Sequence, residues 1–132
     1  MDTSTRFPRL RRATALTTYL ALAMSSTLAA EAPFPAGTYA AEGHKITIAF
    51  DDKGRFRVTE GDVLQVTGQY SAKAGQLEIT DTQGPWACTK AGEQSGTYIW
   101  KYGNSVLTFS KVADRCEDRA KSLTSVTWKL TS

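Results

Sequence analysis

Residues able to do chemistry are few in this chain and widely spread. His44 is the only histidine among the 132 residues. A Ser-His-Asp triad, a Cys-His pair or a histidine metal cluster would each need partners at suitable spacing. His44 stands beside Lys45 without them, so it reads as a turn or surface histidine. Asp51-Asp52 runs into Lys53-Gly54, where aspartates serve local backbone hydrogen bonds in a tight turn; the spacing is not that of a calcium loop. Asp114, Glu117 and Asp118 gather where a helix N-terminus favours negative charge, with Asp114 and Glu117 spaced as a capping box. A glycosidase pair needs two facing carboxylates, which this spacing does not specify. No phosphate loop, nucleotide fingerprint or nucleophile elbow is present. Catalysis therefore has no positive support, and no metal or organic cofactor is expected.

Two cysteines and a set of aromatics remain. Gly-x-Tyr occurs at Gly37-Thr38-Tyr39, Gly68-Gln69-Tyr70 and Gly96-Thr97-Tyr98. Cys88 and Cys116 each lie 20 residues beyond the glycine of the second and third copies, and so are 28 apart. A hairpin repeated with a cysteine at the same place predicts two similar corners tied by a Cys88–Cys116 disulfide. A bridge closing a loop of this length stabilises a fold by roughly 3–4 kcal/mol in the chain-entropy model. Trp86, in the loop before Cys88, is expected to pack under that staple. Covering a mouth of the fold or contacting a partner protein are its alternatives.

Short amphipathic strands must position these residues. Apolar residues alternate with polar ones at Ile46, Ile48 and Phe50, at Phe56 and Val58, and at Leu64, Val66, Gly68 and Tyr70. The same period of two recurs at Leu77 and Ile79, at Tyr98, Trp100 and Tyr102, and at Leu107 and Phe109. It ends with Val126, Trp128 and Leu130 in a last strand over Thr124–Leu130. Turn residues separate the runs at Asp51–Gly54, Gly61-Asp62, Ala72–Gly75 and Gly103-Asn104. Asp114–Leu123 reads as a short helix or helical turn before the last strand. With Gly37–Ala41 in front, this makes eight short strands and an all-β fold. Hairpin connections favour an eight-stranded antiparallel up-and-down barrel, whose closure removes exposed edges.

On those strands Phe56, Tyr70, Tyr98, Trp100, Tyr102, Phe109 and Trp128 all face inward. Eight strands enclose an interior that side chains fill or that holds one small ligand. So many large residues on short strands favour a filled core. Tyr70, Tyr98, Trp100, Phe109 and Trp128 are the candidate ligand contacts of an open one.

The first thirty residues stand apart. Arg6, Arg9, Arg11 and Arg12 precede a mostly apolar Ala13–Met24 and a small-residue Leu28-Ala29-Ala30, the anatomy of a secretory signal peptide. Cleavage is expected after Ala30, with Ala32 as the alternative, leaving residues 31–132 as one domain and no membrane anchor. The whole chain is +3, with 16 basic and 13 acidic residues. Four arginines, Asp2 and Glu31 belong to or adjoin the leader, so 12 basic and 11 acidic residues remain from Ala32 onward. The basic character thus belongs to the leader, and no nucleic-acid partner is expected. Periplasm or external medium would oxidise the cysteine pair.

The Gly-x-aromatic first strand, the meandering hairpins and the Trp128 closing strand resemble lipocalin-like, or calycin, barrels. The run Leu107-Thr108-Phe109, Val112, Asp114-x-Cys116-x-x-Arg119, Leu123 and Trp128 is similar to a C-terminal pattern of small secreted bacterial members. Tyr39 stands where lipocalins typically carry tryptophan. The resemblance implies that Arg119 packs across Tyr39 or Trp128 and closes one barrel end, with ligand-anion binding as its alternative role. It also implies a secreted or periplasmic, non-catalytic binding barrel for a small hydrophobic or aromatic ligand. The alternatives are a protein-binding module, such as an inhibitor of a secreted hydrolase acting through Trp86, and a small isomerase or cyclase using barrel tyrosines.

Overall fold

A computed structural model describes residues 32–132; the segment read as a signal peptide lies outside them. Eight antiparallel strands close into a barrel in sequence order. They are β1 (Gly37–Ala41), β2 (Ile46–Phe50), β3 (Arg55–Glu60), β4 (Val63–Lys73), β5 (Gln76–Gln83), β6 (Ser95–Gly103), β7 (Val106–Asp114) and β8 (Trp128–Leu130). Helix α1 (Glu117–Thr124) lies in the last connection. β8 returns to β1 with Tyr39 opposite Leu130 and Ala41 opposite Trp128. The sheet therefore has no free edge on which another chain would template. Among the described residues no helix is long and apolar enough to cross a membrane.

The two barrel ends are built differently. Tight turns join β2 to β3, β4 to β5 and β6 to β7 at one end. Ala74 and Gly75 have φ of 56° and 74°, and Asn104 and Ser105 have 52° and 64°, the positive values of hairpin turns that match strand twist. The β6–β7 turn sits one residue later than Gly103-Asn104, since Gly103 stays paired with Val106. The Ser105 carbonyl then accepts the Leu130 N–H at 2.8 Å, which ties the turn to β8. The opposite end carries the long connections, residues 84–94 and the segment containing α1.

Interior residues sort by size along the axis. At the tight-turn end Phe34, from the lead-in, meets Phe50, Tyr70 and Trp100 with ring centroids 5.0, 5.4 and 5.4 Å apart. These edge-on and tilted contacts are the favoured geometry for aromatic rings. Tyr39 donates to the Pro35 carbonyl at 2.5 Å, and Tyr70 donates to the Asp51 carbonyl. Burial, with a smaller effect of Tyr102, pushes the Tyr39 hydroxyl up to about 12. It therefore stays a neutral donor near pH 7. Toward the other end the inward positions are filled by Ile48, Val58, Val66 and Ile79.

Three sequence expectations change. The β3–β4 register shifts so that Val58 pairs with Val66 while Thr59 pairs with Leu64. Gln65 is the extra residue of a bulge, which turns Leu64 outward to 48% exposure instead of placing it on the Val66 face. The last strand shortens to Trp128–Leu130 because α1 runs through Thr124, whose hydroxyl donates to the Ala120 carbonyl at 2.7 Å. Tyr102 reaches past the barrel interior and is 40% exposed.

Gly68, the glycine of the second Gly-x-Tyr, faces inward where neighbours approach closely. A Cβ there would collide with the Thr80 carbonyl oxygen and the Phe56 ring. Gly68→Ala is expected to lower stability by about 2–3 kcal/mol. A fall in the urea midpoint with unchanged slope checks it.

Candidate functional site

The long-connection end opens into a cavity of about 740 Å³, within the range of small-molecule sites. Ile48, Val58, Val66 and Ile79 form its walls, with Phe56 and Trp128 among the lining. The four aliphatic side chains point inward by strand alternation and leave this half of the barrel open where larger rings would fill it. Trp128 is held by its indole N–H, which donates to the Leu123 carbonyl at 3.1 Å. His44, Trp86, Lys90 and Lys121 also border the cavity, and all four are exposed.

One wall is polar. Arg119 on α1 lies with its side chain 7% exposed. Its Nε and Nη2 donate to both oxygens of Asp114 at 2.7 Å, a bidentate pair. Nη1 donates to the Gln94 carbonyl and Nη2 to the Glu93 carbonyl, each at 2.9 Å. Nη1 also meets Asp81 Oδ2 at 3.2 Å. Four of these contacts are hydrogen bonds and the Asp81 contact is an ion pair. Arg119 thus commits most of its donors within the fold. It does not cross the first-strand aromatic either, since Tyr39 packs against Phe50 and Tyr102. It stitches α1 to β5, β7 and the end of the 84–94 loop.

Asp114 departs from its expected capping role for the same reason. The helix N-cap is Cys116, which gives no side-chain cap and is bonded to Cys88 in a disulfide. Asp114 Oδ1 accepts the Cys116 N–H at 2.8 Å, and the carboxylate turns inward to Arg119 and the Tyr98 hydroxyl. Gly96, opposite Asp114 in the sheet, leaves the room: a Cβ there would strike the Asp114 carboxylate. Burial alone would raise the Asp114 pKa, but hydrogen bonds from Arg119, Tyr98 and the Cys116 N–H outweigh it and hold it low. Burial, then Asp114, pushes the Tyr98 hydroxyl up. Only Glu117 and Asp118 serve the helix N-terminus as their spacing predicts.

The structure divides the sequence-predicted site residues between the two ends. Trp128, Arg119, Trp86, Cys88 and Cys116 border the cavity. Tyr70, Tyr98, Trp100 and Phe109 do not; they belong to the packed interior. Trp100 Nε1 is enclosed there without a hydrogen-bond partner. Trp86 is 45% exposed and borders the cavity beside Cys88 and Cys116, its backbone N–H donating to the Gln65 carbonyl at the bulge, 3.2 Å away, so it stands at the mouth. Asp81 was legible only as the next inward position after Leu77 and Ile79, a carboxylate where the alternation calls for an apolar side chain. Among the described residues no group of three His, Cys, Asp or Glu is placed to hold a metal.

No protein-family model, curated protein or solved structure matches the chain.

The Arg119 cluster supports a stability prediction. Asp114→Asn leaves Arg119 short of a counter-charge in a buried setting, and the expected loss is about 3–5 kcal/mol at pH 7. Because the folded pKa of Asp114 is depressed, its contribution is complete well above the unfolded value of about 3.9. It is lost as pH falls through the folded value. Urea titrations between pH 7 and pH 3 should show the wild type losing stability on acidification, with a flatter profile in the variant.

Proposed function

We propose that this protein is an exported, periplasmic or secreted barrel that binds a small apolar molecule without transforming it. The cavity of about 740 Å³ behind an open mouth, walled by Ile48, Val58, Val66 and Ile79, carries this reading. Burying an apolar ligand against such walls gains roughly 25 cal/mol per Å² removed from water. Export is supported by the Cys88–Cys116 disulfide, which suits an oxidising compartment. Use of the barrel tyrosines in an isomerase finds less support. Tyr39, Tyr70 and Tyr98 each commit the hydroxyl to a partner within the fold.

A second reading, a protein-binding module, draws on Trp86, which is 45% exposed at the same end as Val63 and Leu64, at 60% and 48%. Exposed apolar residues gathered at one end mark contact surfaces. Retention of binding to a secreted hydrolase in a cavity-filled variant, with its loss in Trp86→Ala, would favour that reading.

The cavity reading is tested by filling the cavity. Val66→Trp is expected to weaken binding of the apolar fluorophore N-phenyl-1-naphthylamine by about tenfold or more, some 1.4 kcal/mol, with the far-ultraviolet dichroism unchanged. Trp100→Phe, in the packed half, should leave the titration unaltered. Equal affinity in Val66→Trp and wild type would place the bound probe elsewhere.

A further inference from the structure

The polar wall of the cavity has a chemical direction. Arg119 makes four hydrogen bonds, to both Asp114 oxygens and the Glu93 and Gln94 carbonyls, and an ion pair with Asp81. Most of its donors are thus committed within the fold. Asp81 is 5% exposed and borders the cavity. Its hydrogen bond from the Cys88 N–H, 2.8 Å, and its ion pair with Arg119, 3.2 Å, both fall on Oδ2. Neither contact uses Oδ1. Two carboxylates, Asp81 and Asp114, share one guanidinium in this cluster, so its formal charge is negative.

From these contacts we infer that the cavity selects apolar molecules carrying a hydrogen-bond donor, a hydroxyl or an amine, which Asp81 Oδ1 accepts. This rests on the binding reading above and narrows it. An ionised fatty acid is disfavoured. Arg119 is already paired with two carboxylates, and a third would enter a low-dielectric site beside charges of like sign. An ether of the same length would fill the apolar walls equally well and leave Oδ1 without a partner. Excluding water from that acceptor without replacing its hydrogen bond costs free energy that the alkyl chain alone does not restore. Asp81 is then the specificity-determining residue of the site, and Arg119 positions it.

The test is a displacement series on the wild-type protein, which avoids any folding defect in an Asp81 variant. Bound N-phenyl-1-naphthylamine is displaced with decan-1-ol, decylamine, decyl methyl ether and decanoate at pH 7. The alcohol and the amine are expected to displace it about tenfold or more effectively than the ether and the carboxylate. The alcohol–ether comparison is decisive, because neither carries a charge that the lysines at the mouth would sense. An ether as effective as the alcohol, or decanoate as effective as either donor, overturns the assignment to Asp81 while leaving the binding barrel standing. If neither the probe nor any of the four ligands binds, the binding reading fails and this inference with it.

Discussion

An eight-stranded barrel has a nearly fixed internal volume, and the side chains offered to it must either fill that volume or leave it open. This chain does both. Phe34, Phe50, Tyr70 and Trp100 pack one end with ring contacts of about 5 Å, while aliphatic side chains line the other. The division follows the connections. Hairpin turns of two to four residues cannot cover a barrel end, so rings from within and Phe34 from the lead-in close it. The long 84–94 and 115–127 connections frame the opposite end, and the cavity lies beneath them.

Framing an open end requires that the long connections be held. Arg119 provides the main tie, since its guanidinium reaches β5, β7 and two backbone carbonyls of the loop before β6. The Cys88–Cys116 bond joins the same loop to the N-terminus of α1. A covalent link and a satisfied buried ion cluster thus act on one corner. Buried charges of this kind are better evidence for geometric specificity than for net stability, because desolvation offsets much of their attraction. Here the specificity lies in keeping α1 beside the barrel mouth.

The tyrosines of the Gly-x-Tyr repeat show how polar groups are admitted to this interior. Each ring lies inside or against the core, and each hydroxyl reaches a nearby acceptor: Pro35 for Tyr39, Asp51 for Tyr70 and Asp114 for Tyr98. The ring contributes apolar burial, and the hydroxyl fastens a loop or the ion cluster to the barrel. The repeat is therefore a structural device of the packed half and of the Arg119 corner. The cavity draws instead on Ile, Val, Phe56 and two tryptophans.

Local pattern alone determined the all-β class, the eight strands, their mostly tight connections and the Cys88–Cys116 pair. Period-two alternation and turn residues act over a few positions and are written directly in the chain. Alternation also placed Ile48, Val58, Val66 and Ile79 on the inner face. It did not show that they share one half of the barrel, because position along the axis depends on stagger between strands far apart in sequence. The Gln65 bulge, which turned Leu64 outward, arises from pairing with β3 and has no signature in β4 itself. Asp114 and Glu117 had the spacing of a capping box, yet a buried guanidinium five residues on, and a glycine across the sheet that makes room for it, won the carboxylate. Whether the interior is filled or open is a sum of side-chain volumes over all eight strands, and only the closed barrel performs that sum.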